Sequence, residues 1–456
     1  MKGSDKIIVL DNNTAYLAGT QAAVTFSSSG MFAEPDAKPI LVRVPGGKNY
    51  RGAVPWGAEN DLPSQITAKV GKSPVLSSGM LFNITLGYGC GIVAGKWSSS
   101  GGKEVFTPVL DNAAINTFFE ENDIQGYLLE QLTDMNFFYN VFPEIILNRE
   151  KSPRIVQLSS KEASFSRWEE MSSKGIIENH FYSAFWNSSS KRADPVPTPV
   201  LSPYNPLRDL RIRMGLEKND KGVLLAPKDY RFIIPLNFPT PGKSYYQKPY
   251  WYSVIESGWY DYAQKIPAFK NALMDNQMTI KYHVELSDDY FEKIFQAEGI
   301  TRDEEKKARI LKEYTDLNSF LTSTKNAGKS VISFVRYTPD GKELRRMKIN
   351  VIENTFKGGE YIEDSEEASN ILSYGIGVHP SLIGSSPGKS KTINGTEARE
   401  LFIIKQAMLR PLRDRLLMPL YLVKNFNGWD PSISFDIPNM TLTTLDRGTG
   451  SEKVIS

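Results

Sequence analysis

The chain has 456 residues, of which 40% are hydrophobic and 23% are charged, and its formal net charge is only +2. These values are typical of a folded protein of two or three domains, and they exclude a polycation that binds nucleic acid over its whole surface. The single cysteine, Cys90, excludes an internal disulfide framework, and we expect it to lie in a core turn.

The N-terminal residues, 1 to about 60, are rich in Gly, Ser, Pro and Asn and contain short apolar runs. They predict irregular or β structure, and the start of the chain has no secretory-signal pattern. The stretch WGAENDLPSQITAKV then predicts a helix that begins through Pro63, because proline is favoured in the first turn of a helix.

An uncharged segment between Lys72 and Lys96 is long enough to span a bilayer. However, it is dense in Ser and Gly and contains Asn83, so it lacks the continuous apolar core of a membrane helix. We expect instead a buried helix from Ser77 to about Leu86, followed by a glycine turn in the sequence GYGCG.

The middle of the chain alternates between helical and extended patterns. Apolar residues recur at helical spacing from Asp111 to Met135, and FFYNVFPEIILN and RIVQLSS then predict two strands joined by a turn. Residues from about 160 to 250 are rich in proline and aromatic side chains, which favours strands with extended connections over long helices.

A helical pattern begins at Trp251, where a stripe of apolar residues follows steps of three and four: Ile255, Trp259, Tyr262, Ile266, Phe269 and Leu273. A short β-like unit, MTIKYHVEL, and a second helix to Leu321 come next. The segments KSVISFVRY and RRMKINVIEN predict two strands, and the Asp-Gly pair between them indicates a hairpin.

The C-terminal part predicts a helix, a loop and a longer helix. An acidic run opens the first helix, which ends at YGIGVHP, and the second begins at Asn394 with Glu397 at capping-box spacing. Pro411 predicts a kink in the second helix. Its predicted apolar face comprises Leu401, Ile404, Met408, Leu412 and Leu416.

The loop between these helices contains GSSPGKS, which suggests a phosphate-binding loop. Three residues separate Gly384 from Gly388 where that motif requires four, and Pro387 removes a backbone N–H donor. A nucleotide-binding enzyme that uses Lys389 and Ser390 is therefore an alternative that we disfavour.

Other catalytic or metal-binding arrangements are not evident. The three histidines are scattered, and acidic clusters such as Glu363 to Glu367 suit the start of a helix as well as they suit a metal ion. No nucleophile, base and orienting group come together. We therefore predict that the protein is not an enzyme and has no metal and no cofactor.

The order of elements, together with several short stretches, resembles the portal proteins of tailed bacteriophages. The stretches are WGAENDLP followed by SPVLSSGM and GYGCGI, then DMNFFYNVFPEIILNREKSPRIVQL, TKNAGKSVISF, and ILSYGIGVHPSLIG followed by NGTEARELFIIKQAMLRPLRDRL. They cover most of residues 55 to 425. The resemblance implies an α+β, portal-like fold with a mixed α/β wing, a two-helix stem, a small β/α clip and a kinked helix after a tunnel loop.

The resemblance also implies the following division of the chain. Residues 1–250 form an N-terminal wing, 251–276 and 303–325 the two stem helices, 277–302 the clip, 326–365 further wing strands, 366–423 the helix–loop–kinked helix, and 424–456 a β-like tail. Portal proteins often end in a helical crown, and this tail implies that the crown is short or absent.

Portal proteins assemble as a ring, usually of twelve subunits, at one capsid vertex of the virion, and DNA passes through the ring during packaging and ejection. The implied partners are other copies of the chain, double-stranded DNA bound without sequence specificity, the terminase large subunit, the major capsid protein and neck or adaptor proteins, with no membrane. Assembly would take place in the host bacterial cytoplasm.

The tunnel loop implied by the resemblance falls around residues 379–393. Its DNA-proximal residues would be Lys389, Ser390, Lys391, Asn394 and Arg399, and the stem residues in contact with neighbouring subunits would be Trp259, Tyr262, Phe269 and Leu273. Between Lys389 and Arg415 the basic residues 389, 391, 399, 405, 410, 413 and 415 outnumber the acidic residues 397, 400 and 414. Two other interpretations remain, in which these are ordinary surface charges or the chain is a capsid-associated structural protein that does not contact DNA.

Overall fold

A computed structural model describes the fold of the chain. The residues it describes are 7–11, 14–17, 22–25, 50–100, 102–186, 195–277, 282–287, 289–322, 336–337, 339–340, 343–344, 347–351, 361–383 and 395–440.

Helices and strands alternate irregularly along these residues. The helices are α1 Leu62–Lys72, α2 Pro74–Tyr88, α3 Ala113–Glu121, α4 Ile124–Phe138, α5 Pro206–Arg213, α6 Ser253–Glu256, α7 Trp259–Gln277, α8 Tyr290–Glu298, α9 Asp303–Thr322, α10 Ile362–Gly375 and α11 Gly395–Asn427. The strands are β1 Ile7–Asp11, β2 Thr14–Leu17, β3 Ala22–Thr25, β4 Val93–Ser100, β5 Lys103–Pro108, β6 Asn140–Leu147, β7 Ile155–Lys161, β8 Ser166–Trp168, β9 Asn179–Tyr182, β10 Val196–Pro199, β11 Arg231–Ile233, β12 Leu236–Asn237, β13 Tyr282–Leu286, β14 Arg336–Tyr337, β15 Glu343–Leu344, β16 Met347–Val351 and β17 Ser434–Asp436.

The chain divides into two compact units. The first comprises residues 1–263 and 363–456, and the second comprises residues 264–362. One boundary lies inside α7 and the other lies at the first residue of α10. The chain therefore leaves the first unit within one helix and returns to it at the start of another.

Strand β6 lies at the centre of the first unit. It pairs antiparallel with β7 on one side and with β11 and β12 on the other, which confirms the two predicted strands and their connecting turn. Its mostly apolar sequence is buried almost throughout, as expected for a strand covered on both faces. The buried carboxylate of Glu144 is paired with Lys161 at 3.3 Å and with Arg231 at 3.4 Å.

The uncharged segment forms α2, as predicted, although the helix is longer than expected at both ends. Ser73 caps its N-terminus, and Gly89, with a φ of 52°, ends it. A Cβ atom at Gly89 would lie 2.7 Å from the carbonyl oxygen of Pro438, so only glycine fits this turn. Cys90 is exposed, and our expectation of a core position was wrong, because the turn lies at the protein surface.

Helix α11 is continuous over 33 residues and contains both Pro411 and Pro419. Its C-terminal half is buried in the main core of the first unit, where Leu416 and Leu420 have almost no exposed surface. The predicted apolar face is correct for this half only, since Ile404 and Met408 are 57% and 66% exposed.

The second unit contains most of α7, then β13, α8, α9 and the strands β14 to β16. Helices α8 and α9 contact each other through an ion pair between Arg309 and Glu298 at 2.9 Å and an edge-on contact between the rings of Phe291 and Tyr314. Strand β13 pairs antiparallel with β16 over its whole length. A hairpin follows the Asp-Gly pair, but it joins β14 to β15, which lies in the predicted connection. The predicted pairing of KSVISFVRY with RRMKINVIEN was wrong, because β16 in the second segment pairs with β13.

The two compact units group the strands of the expected wing and clip as follows, while the boundaries of wing, stem and clip stay a prediction. Residues 336–351 had been assigned to the wing, but they lie in the same compact unit as β13 and α8 of the expected clip. Helix α9 lies wholly within that unit, so the helix that returns the chain to the first unit is α10. The sequence could not indicate this, because the pairing of β13 with β16 is not local.

Among the helices of the described residues, none combines the length and the apolar character that crossing a membrane requires.

Candidate functional site

The expected tunnel loop follows α10 and precedes α11. Four of its predicted DNA-proximal residues, Lys389, Ser390, Lys391 and Asn394, lie outside the described residues. The structure does describe the end of α10, the short turn Pro380–Leu382 at the start of the loop, and the start of α11 at Gly395. These segments determine where the loop leaves and re-enters the fold.

The C-terminus of α10 is fixed by side chains from two other helices. Gly377 has a φ of 66°, and the N–H of Val378 donates to the carbonyl of Ser373 in the manner of a glycine-terminated helix. The Asn83 amide from α2 donates to the carbonyl of Ile376 at 3.0 Å, and the Lys405 ammonium from α11 donates to the carbonyl of Gly377 at 2.7 Å. The unpaired carbonyls at the C-terminus of a helix favour a hydrogen-bond donor or a positive charge, and both side chains supply one.

Close packing reinforces this attachment. A Cβ atom at Gly79 would lie 1.8 Å from Cδ1 of Ile376, and one at Gly375 would lie 2.1 Å from Cγ1 of Val254. The two glycines therefore allow α2 and the region around Val254 to approach the end of α10 directly. The N-terminal flank of the loop is held in place by contacts that leave little room for adjustment.

Arg413, near the middle of α11, has a structural role. Its side chain is buried, and its guanidinium donates to the carbonyls of Leu86 at 2.6 Å and Gly87 at 3.0 Å. It also donates to the carbonyl of Ile437 and to Oδ1 of Asn439. Leu86 and Gly87 belong to the last turn of α2, whose carbonyls lack partners within the helix. Arg413 thus ties α11 to the end of α2, and burial lowers the pKa of the guanidinium.

The other basic residues in the first half of α11 are also largely engaged. Arg410 forms an ion pair with Asp414 at 3.0 Å and lies 3.8 Å from a carboxylate oxygen of Asp436. Arg415 donates to the carbonyl of Asn237 at 3.2 Å. Most of the basic side chains that the structure describes in this segment are therefore paired with groups of their own subunit.

Arg399 differs from these residues. It is half-buried, and within the part of the chain that the structure describes it has no hydrogen-bonding or ionic partner. It lies one turn after the start of α11 at Gly395, directly beyond the predicted loop. Of the five predicted DNA-proximal residues it is the one that the structure describes, and its guanidinium is available to a ligand.

The first half of α11 also has an apolar face that its own subunit leaves uncovered. Ile403, Ile404 and Met408 are each more than half exposed and lie on one side of the helix. The buried side of the same segment contains Gln406 and Leu409 instead. The sequence alone did not distinguish the two sides, because both contain large apolar residues.

The predicted subunit-contact residues lie in α7. Trp259 is half-buried and contacts Tyr262 edge-on, with ring centroids 5.8 Å apart. Tyr262 and Phe269 are 39% and 44% exposed, so both retain surface that another molecule could cover. Leu273 belongs to α7, but its side chain lies outside the described residues. Ile255 and Ile266 of the same stripe are buried within their own chain.

Histidine and acidic side chains do not come together as a metal site within the described residues. His180 is fully buried between the rings of Phe142 and Trp168, and burial lowers its pKa to about 3, so it remains neutral. Its ring nitrogens have no hydrogen-bond partner among the residues described. The described part of the chain contains no cluster of three or more His, Cys, Asp or Glu side chains suited to a metal ion.

Comparisons with known proteins relate the chain to others by fold. No protein-family model matches the sequence, and no curated protein matches it. A chain in the neck of an empty gene transfer agent particle, computed with C6 symmetry, is 12% identical and has a TM-score of 0.54, with 86% of this chain and 87% of that chain covered.

Two further structures agree. A chain in the neck of the native particle, computed with C12 symmetry, is 13% identical with a TM-score of 0.53 and 85% of each chain covered. A chain of the native gene transfer agent virion is 12% identical with a TM-score of 0.51 and 82% of each chain covered. The predicted α+β fold class is confirmed, and the fold shared with these neck chains agrees with the resemblance to portal proteins.

Proposed function

We propose that the protein is a portal: copies of the chain form a ring, expected to be of twelve, at one vertex of a virus capsid, and double-stranded DNA passes through the ring. The observation that carries this proposal is the fold shared with neck chains over more than four-fifths of both chains, in structures computed with C6 and C12 symmetry. A ring of identical subunits is one of the closed symmetries that protein assemblies adopt.

The division into two units supports the proposal and refines it. The chain passes from one unit to the other within α7 and at the start of α10. We assign these two helices to the stem, and we assign residues 278–361, including α9, to the clip. The rest of the first unit then forms the wing, and the predicted tunnel loop lies between α10 and α11 in the chain.

In this proposal the DNA contact is concentrated in the loop. Because Lys405, Arg410, Arg413 and Arg415 are occupied by contacts within the subunit, the phosphates would be met by Lys389, Lys391 and Arg399. Lysine attracts phosphate as a point charge on a flexible stem and does not read bases. Contacts of this kind weaken with salt and permit sliding, which a DNA conduit requires.

The ring would act without catalysing a reaction. It would guide DNA during packaging and ejection, while the terminase large subunit, docked on the clip, supplies the work. The clip would also receive neck or adaptor proteins, and the wing would contact the major capsid protein. Within this proposal the protein functions in the virion, at the capsid vertex.

The loop assignment is tested by replacing Lys389 and Lys391 together with glutamate in the assembled particle. We expect rings to form normally and the amount of packaged or retained DNA to fall severely, because twelve copies of the loop would repel phosphate. A matched control replaces the exposed residues Lys218 and Lys221 with glutamate. Normal DNA content in particles with the altered loop would contradict the assignment.

A further inference from the structure

The first unit contains a cavity of about 570 Å³ at one end of the central sheet, beside α1, α4, β7 and β9. Its polar lining consists of carboxylates and hydroxyls from several of these elements, including Glu130, Thr133, Asp134, Ser160, Glu162 and Tyr182. Phe137 and Phe138 contribute apolar wall. No basic side chain is among the described residues that line it.

Asp134 is the deepest of the three carboxylates. Its side chain is only 6% exposed, and Oδ2 accepts a hydrogen bond from the N–H of Ala163 at 2.9 Å. The other oxygen, Oδ1, has no hydrogen-bonding or ionic partner in the described part of the chain. Oδ1 is not enclosed by the protein, so it can accept a hydrogen bond from a ligand in the cavity.

The remaining two carboxylates lie nearer the mouth of the cavity. Glu130 and Glu162 are both exposed. Burial, with smaller contributions from Glu162 and Glu130, raises the pKa of Asp134 to about 7. The nearest basic side chain on these elements, Lys161, is paired with Glu144 and lies over the ring of Tyr182. Above pH 7 the cavity therefore carries negative charge at two depths, and none of its described lining residues is a cation.

We propose that this cavity binds a small organic cation with at least two ammonium groups, of the polyamine class. One ammonium group would donate to Oδ1 of Asp134, and a second would lie between Glu130 and Glu162. The methylene chain joining them would contact the aromatic wall, which also attracts cations through its ring faces. A monoamine would leave the second charge site empty. The proposal does not depend on ring formation or on DNA.

The test is calorimetric titration of the DNA-free protein with spermidine at pH 8 and low salt. We expect binding to the native chain and a loss of affinity of about tenfold or more in Asp134→Asn, because the amide keeps the acceptor for Ala163 but removes the charge. Glu162→Gln, on the exposed rim, should weaken binding by a smaller factor. Glu121→Gln, an exposed acidic residue outside the cavity lining, is the matched control and should bind normally.

Two further measurements sharpen the result. Binding should weaken about tenfold from pH 8 to pH 6, because Asp134 takes up a proton across a pKa of about 7. The other titratable groups that line the cavity are Glu130, Glu162 and Tyr182. Putrescine should bind more tightly than propylamine. The proposal is overturned if spermidine does not bind, if Asp134→Asn binds as the native chain does, if the control loses as much affinity, or if propylamine equals putrescine.

Discussion

Replacing Arg413 with methionine tests whether the basic residues of α11 hold the fold together. The side chain is buried and its guanidinium donates to carbonyls of Leu86 and Gly87, which end α2. Methionine replaces the aliphatic part of the side chain and has no donor, so the substitution removes these hydrogen bonds while keeping most of the apolar packing. The carbonyls at the end of α2 then lose the partner that compensates for their burial.

The magnitude follows from the two shortest bonds to these carbonyls, at 2.6 and 3.0 Å. A hydrogen bond from a charged donor contributes about 1.5 to 3 kcal/mol, and the cost of burying the guanidinium offsets part of that gain. We therefore expect Arg413→Met to lower the free energy of unfolding by about 3 kcal/mol. The matched control, Arg410→Met, removes an exposed ion pair with Asp414 and should cost about 0.5 kcal/mol or less.

The assay is equilibrium unfolding in urea, followed by tryptophan fluorescence, because Trp56, Trp168 and Trp251 are buried in the first unit. The midpoint should fall clearly for Arg413→Met and remain nearly unchanged for Arg410→Met. A free energy of unfolding for Arg413→Met within about 0.5 kcal/mol of the native value would refute the structural role of Arg413.

Three further variants test other parts of the account. Gly89→Ala should lower the free energy of unfolding by about 1 to 3 kcal/mol in the same urea assay, because φ is 52° and the new Cβ would lie 2.7 Å from the carbonyl oxygen of Pro438. Asp134→Asn should raise that free energy by about 2 to 4 kcal/mol at pH 8 and change it little at pH 4. The pKa of Asp134 is about 7 in the fold against 3.8 ordinarily, so the native fold loses stability as the pH rises from 3.8 to 7, and asparagine does not have this penalty. Phe269→Ser should reduce ring assembly in native mass measurements, whereas the control Leu110→Ser, at a site that is 77% exposed, should not. Equal effects of the two variants would show that Phe269 does not contact a neighbouring subunit.

Local patterns predicted much of the fold. The helix from Pro74 to Tyr88 and its glycine turn follow from an apolar run that ends in GYGCG, and the structure explains why Asn83 stands in that run: its amide binds the end of α10. The pairing of β13 with β16 could not be predicted in the same way, since more than sixty residues separate the strands and each reads alone as a short apolar segment.

The candidate site likewise depends on contacts between residues that are far apart in the sequence. The sequence counts Lys405 and Arg413 as available positive charge, because nothing adjacent to them is an evident partner. Their partners are carbonyl groups 28 and more than 300 residues away in the chain. Counting charge along a segment therefore overestimates what that segment presents to DNA, and only the fold shows which cations are already engaged.

The central claim is that copies of the chain surround an opening and present residues around 379–393 to DNA within it. Electron microscopy of the purified assembly, with a density label attached beside Lys389, measures both parts of this claim directly. The account predicts a closed ring with an opening wide enough for duplex DNA and the label at the wall of that opening. A monomer under assembly conditions, or a ring with the label on its outer rim, would contradict it.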